Sequence, residues 1–188
     1  EVCNKNHVTV SCDLNYRGKL WTREKAEDVM KTLVPYVDVM IANEEDAKDV
    51  FGIAAENTDI LNGKLNREAY VSVAEQLNKR FGCKNVAITL RGSISASDNN
   101  WAGMLYANGK AYFSKNYSVH LVDRVGGGDS FGGGLIHALL TGMKPQDAIE
   151  FAVAASCLKQ TIEHDFNLVT EQEVLSLMGG NSSGRVQR

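Results

Sequence analysis

Short apolar runs alternate with longer amphipathic segments along the 188-residue chain. The runs are rich in β-branched residues and predict buried strands over His7–Cys12, Val37–Ala42 and Asn85–Leu90. Between the first two, apolar positions recur at helical spacing and predict a helix that Thr22 caps and Pro35 ends. Strands that alternate with helices are typical of a mainly parallel sheet covered on both faces.

Two further helices are predicted in the first half of the chain. Asn43 is suited to cap a short helix with acidic residues in its first turn, which Gly52 closes. A polar stretch over Asn57–Asn66 is expected to be a loop. The apolar spacing that follows predicts a helix over Arg67–Phe81.

The second half combines a hairpin signal with two more helices. Asn108 and Gly109 lie between two strand-like arms in Gly103–Ser114, which is a strong hairpin signal. Helical spacing returns over Asp129–Leu140 and again after Pro145, a residue that suits the first position of a helix. The last helix is apolar on nearly every side and is therefore expected to be buried.

Composition narrows the possible partners. The chain is 44% hydrophobic and 23% charged with a net charge of −3, values that suit a globular domain. Its Lys and Arg residues are scattered, so the basic surface of a nucleic-acid binder is not expected. A small-molecule partner is expected instead. No apolar run is long enough to predict a membrane span. Four cysteines without a C-x-x-C pair indicate a reducing, cytoplasmic compartment.

One stretch, VGGGDSFGGGLIHALLTG from Val125 to Gly142, places six glycines in nine residues at the start of a predicted helix. Glycine within a helix costs about 1 kcal/mol relative to alanine, so this pattern needs an explanation. A flexible linker or close helix packing would explain it. So would a helix N-terminus whose N–H groups must approach an anion.

The segment DRVGGGDSFGGG resembles the second signature of the ribokinase/PfkB family of sugar kinases, apart from Arg124, where Thr is commoner. The resemblance extends along the chain through DLNYRGKLW, NEEDAKDVFG, TLRGSISASDNNW and GRVQR. In these segments the chain is most similar to the 2-keto-3-deoxygluconate kinases. It covers only the family's C-terminal portion, because the first signature, the early strands and the lid over the sugar are absent.

The resemblance implies an α/β fold, the ribokinase-like three-layer αβα sandwich with a mainly parallel sheet and an antiparallel hairpin. Residues 1–178 would form the C-terminal portion of the kinase domain, and residues 179–188 a loose tail. The N-terminal strands and the lid would be missing from this chain. The full-length protein would be a homo-oligomer.

The implied activity is ATP-dependent phosphorylation of the terminal hydroxyl of 2-keto-3-deoxygluconate, which gives the 6-phosphate in sugar-acid catabolism. In that family reading the N–H groups of Gly126, Gly127 and Gly128 form an anion hole, and Asp129 is the base that accepts the hydroxyl proton. The alternative is that Asp129 only favours the helix dipole and that the glycines only permit tight packing.

The loop after the first predicted strand is implied to face the substrate. Asn15 and Arg17 lie there, and an arginine fork matches the carboxylate of a sugar acid or a phosphate. The alternative is a surface arginine that pairs with Asp13.

Nucleotide-binding residues follow from the same resemblance. They are Asn43, Thr89, Arg91, Gly92, Gly126, Gly128 and Val153. Val153 matches the small apolar residues of the family's adenine pocket, although its position is as readily part of the core.

Two aspartates are implied to bind cations. Asp46 ends the family's N-x-x-E motif, which is associated with the phosphates and hydrated Mg²⁺, but Asp is one methylene shorter than Glu. The alternative is an ordinary acid in a capped first turn. Asp123 matches a position that helps to hold a monovalent cation, K⁺, in ribokinases, and the alternative is an aspartate that bonds local backbone.

Other functions remain open at this point. A kinase of another small sugar, such as fructose or ribose, would share Asp129 and the glycines. A non-catalytic nucleotide-binding module, an inactive fragment or a dinucleotide-binding oxidoreductase domain would also use a glycine turn. Against the oxidoreductase, no acidic residue clearly ends a strand about 20 residues beyond the glycines.

Overall fold

A computed structural model describes residues 1–43, 45–54 and 67–180 of the chain. Its sheet contains β1 (Ser11–Asp13), β2 (Val39–Ala42), β3 (Asn85–Ser93), β4 (Asp98–Ala107), β5 (Lys110–Phe113) and β6 (Tyr117–His120). The strands are ordered β1-β2-β3-β4-β5, and β6 also pairs with β4. The first three strands are parallel, whereas β4 is antiparallel to β3, β5 and β6. Within the described residues the sheet is thus mixed, with a smaller parallel share than the expected mainly parallel sheet.

Helices cover both faces of this sheet. They are α1 (Val2–Lys5), α2 (Arg23–Leu33), α3 (Asp46–Phe51), α4 (Arg67–Phe81), α5 (Gly127–Leu140), α6 (Pro145–Lys159) and α7 (Glu171–Met178). Helices α2 to α4 pack with Val86 and Ile88 of β3 in one core. Helices α5 to α7 pack with Ala87 in the other, because successive strand residues point to opposite faces. This arrangement confirms the three-layer αβα sandwich.

Several local predictions are confirmed. The Oγ1 of Thr22 accepts a hydrogen bond from the Lys25 N–H at 3.3 Å and caps α2, and a short 3-10 turn containing Pro35 follows that helix. The β4–β5 hairpin turns at Asn108 and Gly109, whose φ angles are 53° and 73°. Two positive φ angles are what a tight two-residue hairpin turn requires, and Asn and Gly adopt them readily.

The N-terminal strand was predicted too early. His7 has a φ of 56° after α1, so the chain reverses there, and β1 begins only at Ser11. Helix α7 was not predicted from the sequence, although Thr170 and Glu173 form a capping box at its start. The predicted loop at 57–66 lies outside the described residues, as does most of the predicted tail, 181–188.

The carboxyl ends of β1, β2 and β3 meet at one edge of the sheet. The loop that follows β1, Asn43 after β2, and the N-terminus of α5 are associated with this edge, where open α/β sheets bind ligands. Among the described helices, none is both long enough and apolar enough to cross a membrane.

Candidate active site

A cavity of about 260 Å³ opens at this edge of the sheet. It is lined by residues from the β1 loop, the end of β2, strands β3 and β4, the α5 turn and the end of α6: Arg17, Asn43, Glu45, Thr89, Arg91, Asn99, Trp101, Arg124, Gly127, Gly128 and Gln160. Three arginines and the start of a helix therefore converge on one cavity. This combination favours an anionic ligand.

The first turn of α5 presents N–H groups without protein acceptors. Among the described residues, nothing accepts a hydrogen bond from the N–H groups of Gly128 and Asp129, whereas that of Ser130 bonds the Gly126 carbonyl at 2.9 Å. Gly126 has a φ of 76°, and a side chain there would collide with the Asp165 carbonyl, so only glycine fits. Gly128 is exposed, and the space where its Cβ would lie is open. The protein's own packing therefore gives no reason for glycine at 128.

Asp129 lies in the first turn of α5 with its side chain exposed. It borders a second groove, of about 400 Å³, which α5, α6 and residues 165–174 line and which includes His137 and Phe151. Its charge also reaches the β1 end of the sheet. Burial, the Asp46 carboxylate and, more weakly, Asp129 raise the pKa of Asp13 to about 6. Asp46 and Asp129 both therefore lie close enough to act on Asp13.

Arg17 lies in the same neighbourhood as these carboxylates. Its Nη1 donates to the Tyr16 carbonyl at 3.0 Å, and no carboxylate of the described residues lies within 4 Å of its guanidinium. The proposed pairing with Asp13 is therefore not formed, and Arg17 lines the cavity together with Gly127 and Gly128. Asn15, the other predicted substrate residue, is exposed just after β1 with a φ of 40°.

Asp46 has a positioning role that leaves no free oxygen for a cation. It is only 4% exposed, and its Oδ1 accepts the Tyr16 N–H at 3.0 Å while its Oδ2 accepts the Asn43 N–H at 3.2 Å. Asn43 in turn accepts the N–H groups of Glu45 and Asp46, each at 2.8 Å. Burial raises the pKa of Asp46, and the two backbone N–H groups oppose that rise. This geometry favours the capped first turn and does not suit direct Mg²⁺ coordination by Asp46.

Of the nucleotide-binding residues predicted on β3 and α6, some line the cavity and others do not. Thr89 and Arg91 line the cavity. Gly92 does not, and a Cβ there would lie 3.3 Å from that of Asn100. Val153 is fully buried in the core, where its Cγ2 would lie 2.8 Å from a Cβ added at Gly103. The core alternative therefore describes Val153, and the structure does not bring it to the cavity.

Asp123 also uses both carboxylate oxygens within the protein. They accept the N–H groups of Val125 and His164, each at 3.0 Å, and the Val125 bond is the main reason that the pKa of Asp123 is lowered. Across the part of the chain that the structure describes, no group of three His, Cys, Asp or Glu side chains is placed to hold a metal ion. The alternative of local backbone bonding therefore describes the contacts that Asp123 makes in this structure, and a K⁺ ion beside it stays a prediction.

Several residues that line the cavity were not expected from the sequence, among them Arg124, Asn99 and Trp101. Arg124 lies within the quoted motif and donates from Nη2 to the Ala96 carbonyl at 2.6 Å, so its departure from the commoner Thr was an available signal. Asn99 and Trp101 alternate on β4 and so share a face. The Asn99 Oδ1 and the Trp101 Nε1 are buried without a hydrogen-bond partner among the described residues.

Comparisons with known proteins agree with this geometry. The family described as pfkB family carbohydrate kinase matches residues 1–163. The solved 2-dehydro-3-deoxygluconokinase of Thermotoga maritima is 51% identical, with a TM-score of 0.89, over 95% of this chain and 52% of its own. A PfkB family carbohydrate kinase from Listeria grayi is 31% identical, with a TM-score of 0.82, over 95% of this chain and 52% of its own.

Among curated proteins, the 2-dehydro-3-deoxygalactonokinase of Haloferax volcanii is 30% identical over 177 residues, which are 94% of this chain and 49% of that protein. The chain therefore spans about half the length of the relatives it matches. The family match extends over most of the chain and includes both the β1 loop and the glycine turn. On this evidence the chain belongs to the pfkB family of carbohydrate kinases.

Proposed function

We propose that the protein carrying this chain is an ATP-dependent kinase that phosphorylates the terminal hydroxyl of 2-keto-3-deoxygluconate to the 6-phosphate. The observation that carries the proposal is the turn at the start of α5. It combines N–H groups without acceptors with an exposed carboxylate, at an edge of the sheet that three arginines also line. The 51% identity to the Thermotoga maritima kinase supports the sugar acid as substrate.

The proposed reaction needs a base and a cradle for the moving phosphoryl group. Asp129 takes the proton from the sugar hydroxyl, whose oxygen forms a bond to the γ-phosphorus of ATP. The bond from that phosphorus to the bridging oxygen breaks, and ADP leaves. Because the transition state is loose, the proton transfers late and an ordinary carboxylate is basic enough.

The chain's other residues bind and orient the reactants in this proposal. The N–H groups of Gly126 and Gly128 donate to the phosphoryl oxygens, where negative charge is concentrated. The Gly127 N–H, also expected in this anion hole, instead bonds the Arg124 carbonyl at 3.3 Å. Arg17 lines the cavity together with that turn and its charge acts on Asp13 at the end of β1, so its fork binds either the substrate carboxylate or the transferring phosphate. Asn15 contacts the sugar. Thr89 and Arg91 line the nucleotide side of the cavity.

The cofactors in this proposal are ATP and Mg²⁺. When bound, Mg²⁺ neutralises phosphate charge; it usually keeps several waters and binds largely through the phosphates. Asn43 and Glu45, which line the cavity, are the residues beside which it would lie. The four cysteines are free, which accords with a reducing cytoplasmic location. We further propose that the protein is a homo-oligomer and that residues 1–178 are the C-terminal portion of its kinase domain.

A second candidate substrate is the galactonate epimer, 2-keto-3-deoxygalactonate. It is favoured by the Haloferax volcanii relative, whose name gives that activity. Both candidates carry the same carboxylate and terminal hydroxyl. The roles proposed for Arg17 and Asp129 therefore apply equally to either substrate.

The test measures ADP release by the natural protein that carries this sequence, with both sugar acids, fructose and ribose as acceptors. We expect turnover with a sugar acid to exceed that with either neutral sugar by at least tenfold. In Arg17→Lys, which keeps the charge and removes the fork, kcat/KM for the acids should fall more than that for the neutral sugars. Equal losses would remove the carboxylate assignment, and preferred use of fructose or ribose would overturn the proposed substrate.

A further inference from the structure

Ser156 places a hydroxyl group in a buried, largely apolar stretch of α6. It lies between Ala155 and Cys157, and its exposed fraction is 0%. A buried hydroxyl costs free energy unless it forms a hydrogen bond. The Ser156 Oγ does so, because it donates to the Gly127 carbonyl at 2.7 Å. This bond joins α6 to the first turn of α5, 29 positions away along the chain.

The last turn of α6 also lies close beside the backbone of Gly127. A Cβ added at Gly127 would be 3.4 Å from the Gln160 Cγ. Ser156 and Gln160 are four residues apart and are therefore neighbours on one face of α6, the face that meets the turn. Because the Ser156 bond is buried there, little water can compete for the Gly127 carbonyl.

The Gly127 carbonyl and the Gly128 N–H belong to one peptide unit. That unit is trans and planar, so its C=O and N–H bonds point in opposite directions. A carbonyl directed at Ser156 therefore directs the Gly128 N–H away from α6. This N–H group has no acceptor among the described residues, and Gly128 lines the cavity. Both residues of the unit are glycines, whose backbone freedom restrains its orientation little.

We propose that Ser156 is a positioning residue, whose hydroxyl holds the Gly127–Gly128 peptide so that the Gly128 N–H faces the transferring phosphoryl group. The catalytic consequence rests on the proposed kinase function, whereas the restraint on the peptide does not. Donors that already point at the phosphoryl oxygens stabilise the charge on them best. Loss of the hydroxyl should therefore lower kcat more than it lowers the affinity for the sugar.

The first experiment measures the peptide itself, in the natural protein that carries this sequence and without ligand. The N–H residual dipolar coupling of Gly128 reports the orientation and mobility of that bond, with the amides of α4 as the internal reference. We expect this coupling to differ between the wild type and Ser156→Ala. An identical coupling in the two proteins would overturn the proposal.

Ser114→Ala is the matched control for both experiments. The Ser114 side chain is also buried, and its Oγ also donates to a backbone carbonyl at 2.7 Å, that of Lys115. It accepts the Gly103 N–H as well and has no hydrogen bond to the glycine turn. Its loss should therefore lower stability and leave the Gly128 coupling at the wild-type value.

The second experiment tests the catalytic consequence, well below the thermal midpoint of each variant so that lost stability alone does not lower turnover. In Ser156→Ala, kcat should fall roughly tenfold, less than for a donor removed outright, because the Gly128 N–H is still present. KM for the sugar acid should change less than threefold. Ser114→Ala should keep both values within twofold of the wild type. An unchanged kcat in Ser156→Ala, or an equal loss in the two variants, would overturn the proposal.

The two readouts separate this proposal from the kinase function. A changed Gly128 coupling in Ser156→Ala, together with a wild type that phosphorylates no sugar, would support the restraint and overturn only the kinase function. An active wild type with an unchanged coupling would overturn the role of Ser156 alone. Ser156→Cys keeps a weak donor at nearly the same position and should lie between the wild type and Ser156→Ala in both measurements.

Discussion

The glycines of α5 occupy two regions that differ in what surrounds the missing side chain. At the N-terminus, the space beside Gly128 is open. Nearly two turns further on, a Cβ at Gly134 would lie 3.1 Å from the Ala152 Cα and 3.2 Å from the Ala155 Cβ, where α5 crosses α6. At Gly134, glycine is therefore required by a neighbouring helix of the same protein. At Gly128 no neighbour within the protein requires it, which leaves a ligand as the reason.

The buried region extends to the sheet below the helices. A Cβ at Gly103 on β4 would lie 2.8 Å from Val153 and 3.0 Å from both Ile149 and Phe131. Here glycine allows α6 and α5 to approach the strand. The comparison teaches that a glycine-rich pattern has no single meaning, and that substitutions should lower activity in one region and stability in the other.

The largest effect is expected at the exposed turn. Asp129→Asn keeps the shape of the side chain but removes its basicity, so turnover should fall roughly 100-fold or more. The thermal midpoint should stay unchanged, because Asp129 is exposed and makes no hydrogen bond among the described residues. Asp147→Asn, in the first turn of α6, is the control and should keep normal turnover. Near-normal ADP release by Asp129→Asn would remove the base assignment.

The next effect belongs to the buried region. Gly103→Ala should lower the free energy of unfolding by about 2 kcal/mol, because the added methyl overpacks three side chains. Urea denaturation measures this change. Gly133→Ala is the matched control: no atom lies within 4 Å of the added Cβ, so it should be neutral or gain up to about 1 kcal/mol from helix propensity. Equal stability of the two variants would show that the contact at Gly103 does not matter.

A smaller effect is expected for Gly128→Ala. The methyl group enters open space over the N–H groups of the turn, so an ATP analogue should bind about tenfold more weakly, or about 1.4 kcal/mol. Stability should not fall, because nothing in the protein meets the new group. Calorimetry and thermal unfolding measure the two quantities on the same sample. Unchanged affinity would show that the phosphate binds elsewhere. The contrast between a ligand-binding and a packing region of glycines would then fail.

The smallest effect concerns Asp13, at the acidic end of β1. Because the folded state raises its pKa from 3.8 to about 6, the folded protein binds its proton more tightly than the unfolded chain. This group's contribution to stability therefore decreases as the pH rises from about 4 to 6. Asp13→Asn should consequently be more stable than the wild type by about 1 kcal/mol at pH 7.5, after allowance for solvent screening, and equal to it below pH 4. Urea unfolding at both pH values tests this, and a constant difference would contradict it.

Sequence alone predicted those features that depend on neighbouring residues. The Asn108–Gly109 turn, the Thr22 cap and the glycine turn each have a local cause that the sequence displays. The start of β1 and the burial of Lys159 depend on partners far along the chain, which periodicity does not reveal. Asn99 and Trp101 were likewise not predicted, because the register of β4 on β3 decides that they line the cavity.

The two hydrogen bonds of Asp46 couple the loop after β1 to the end of β2. One buried carboxylate holds Tyr16 from the first and Asn43 from the second. Neither loop can shift alone without stranding a buried acceptor, which costs about 1 to 3 kcal/mol. A ligand that shifts the loop after β1 must therefore also shift the backbone at Asn43 or lose one of these two bonds.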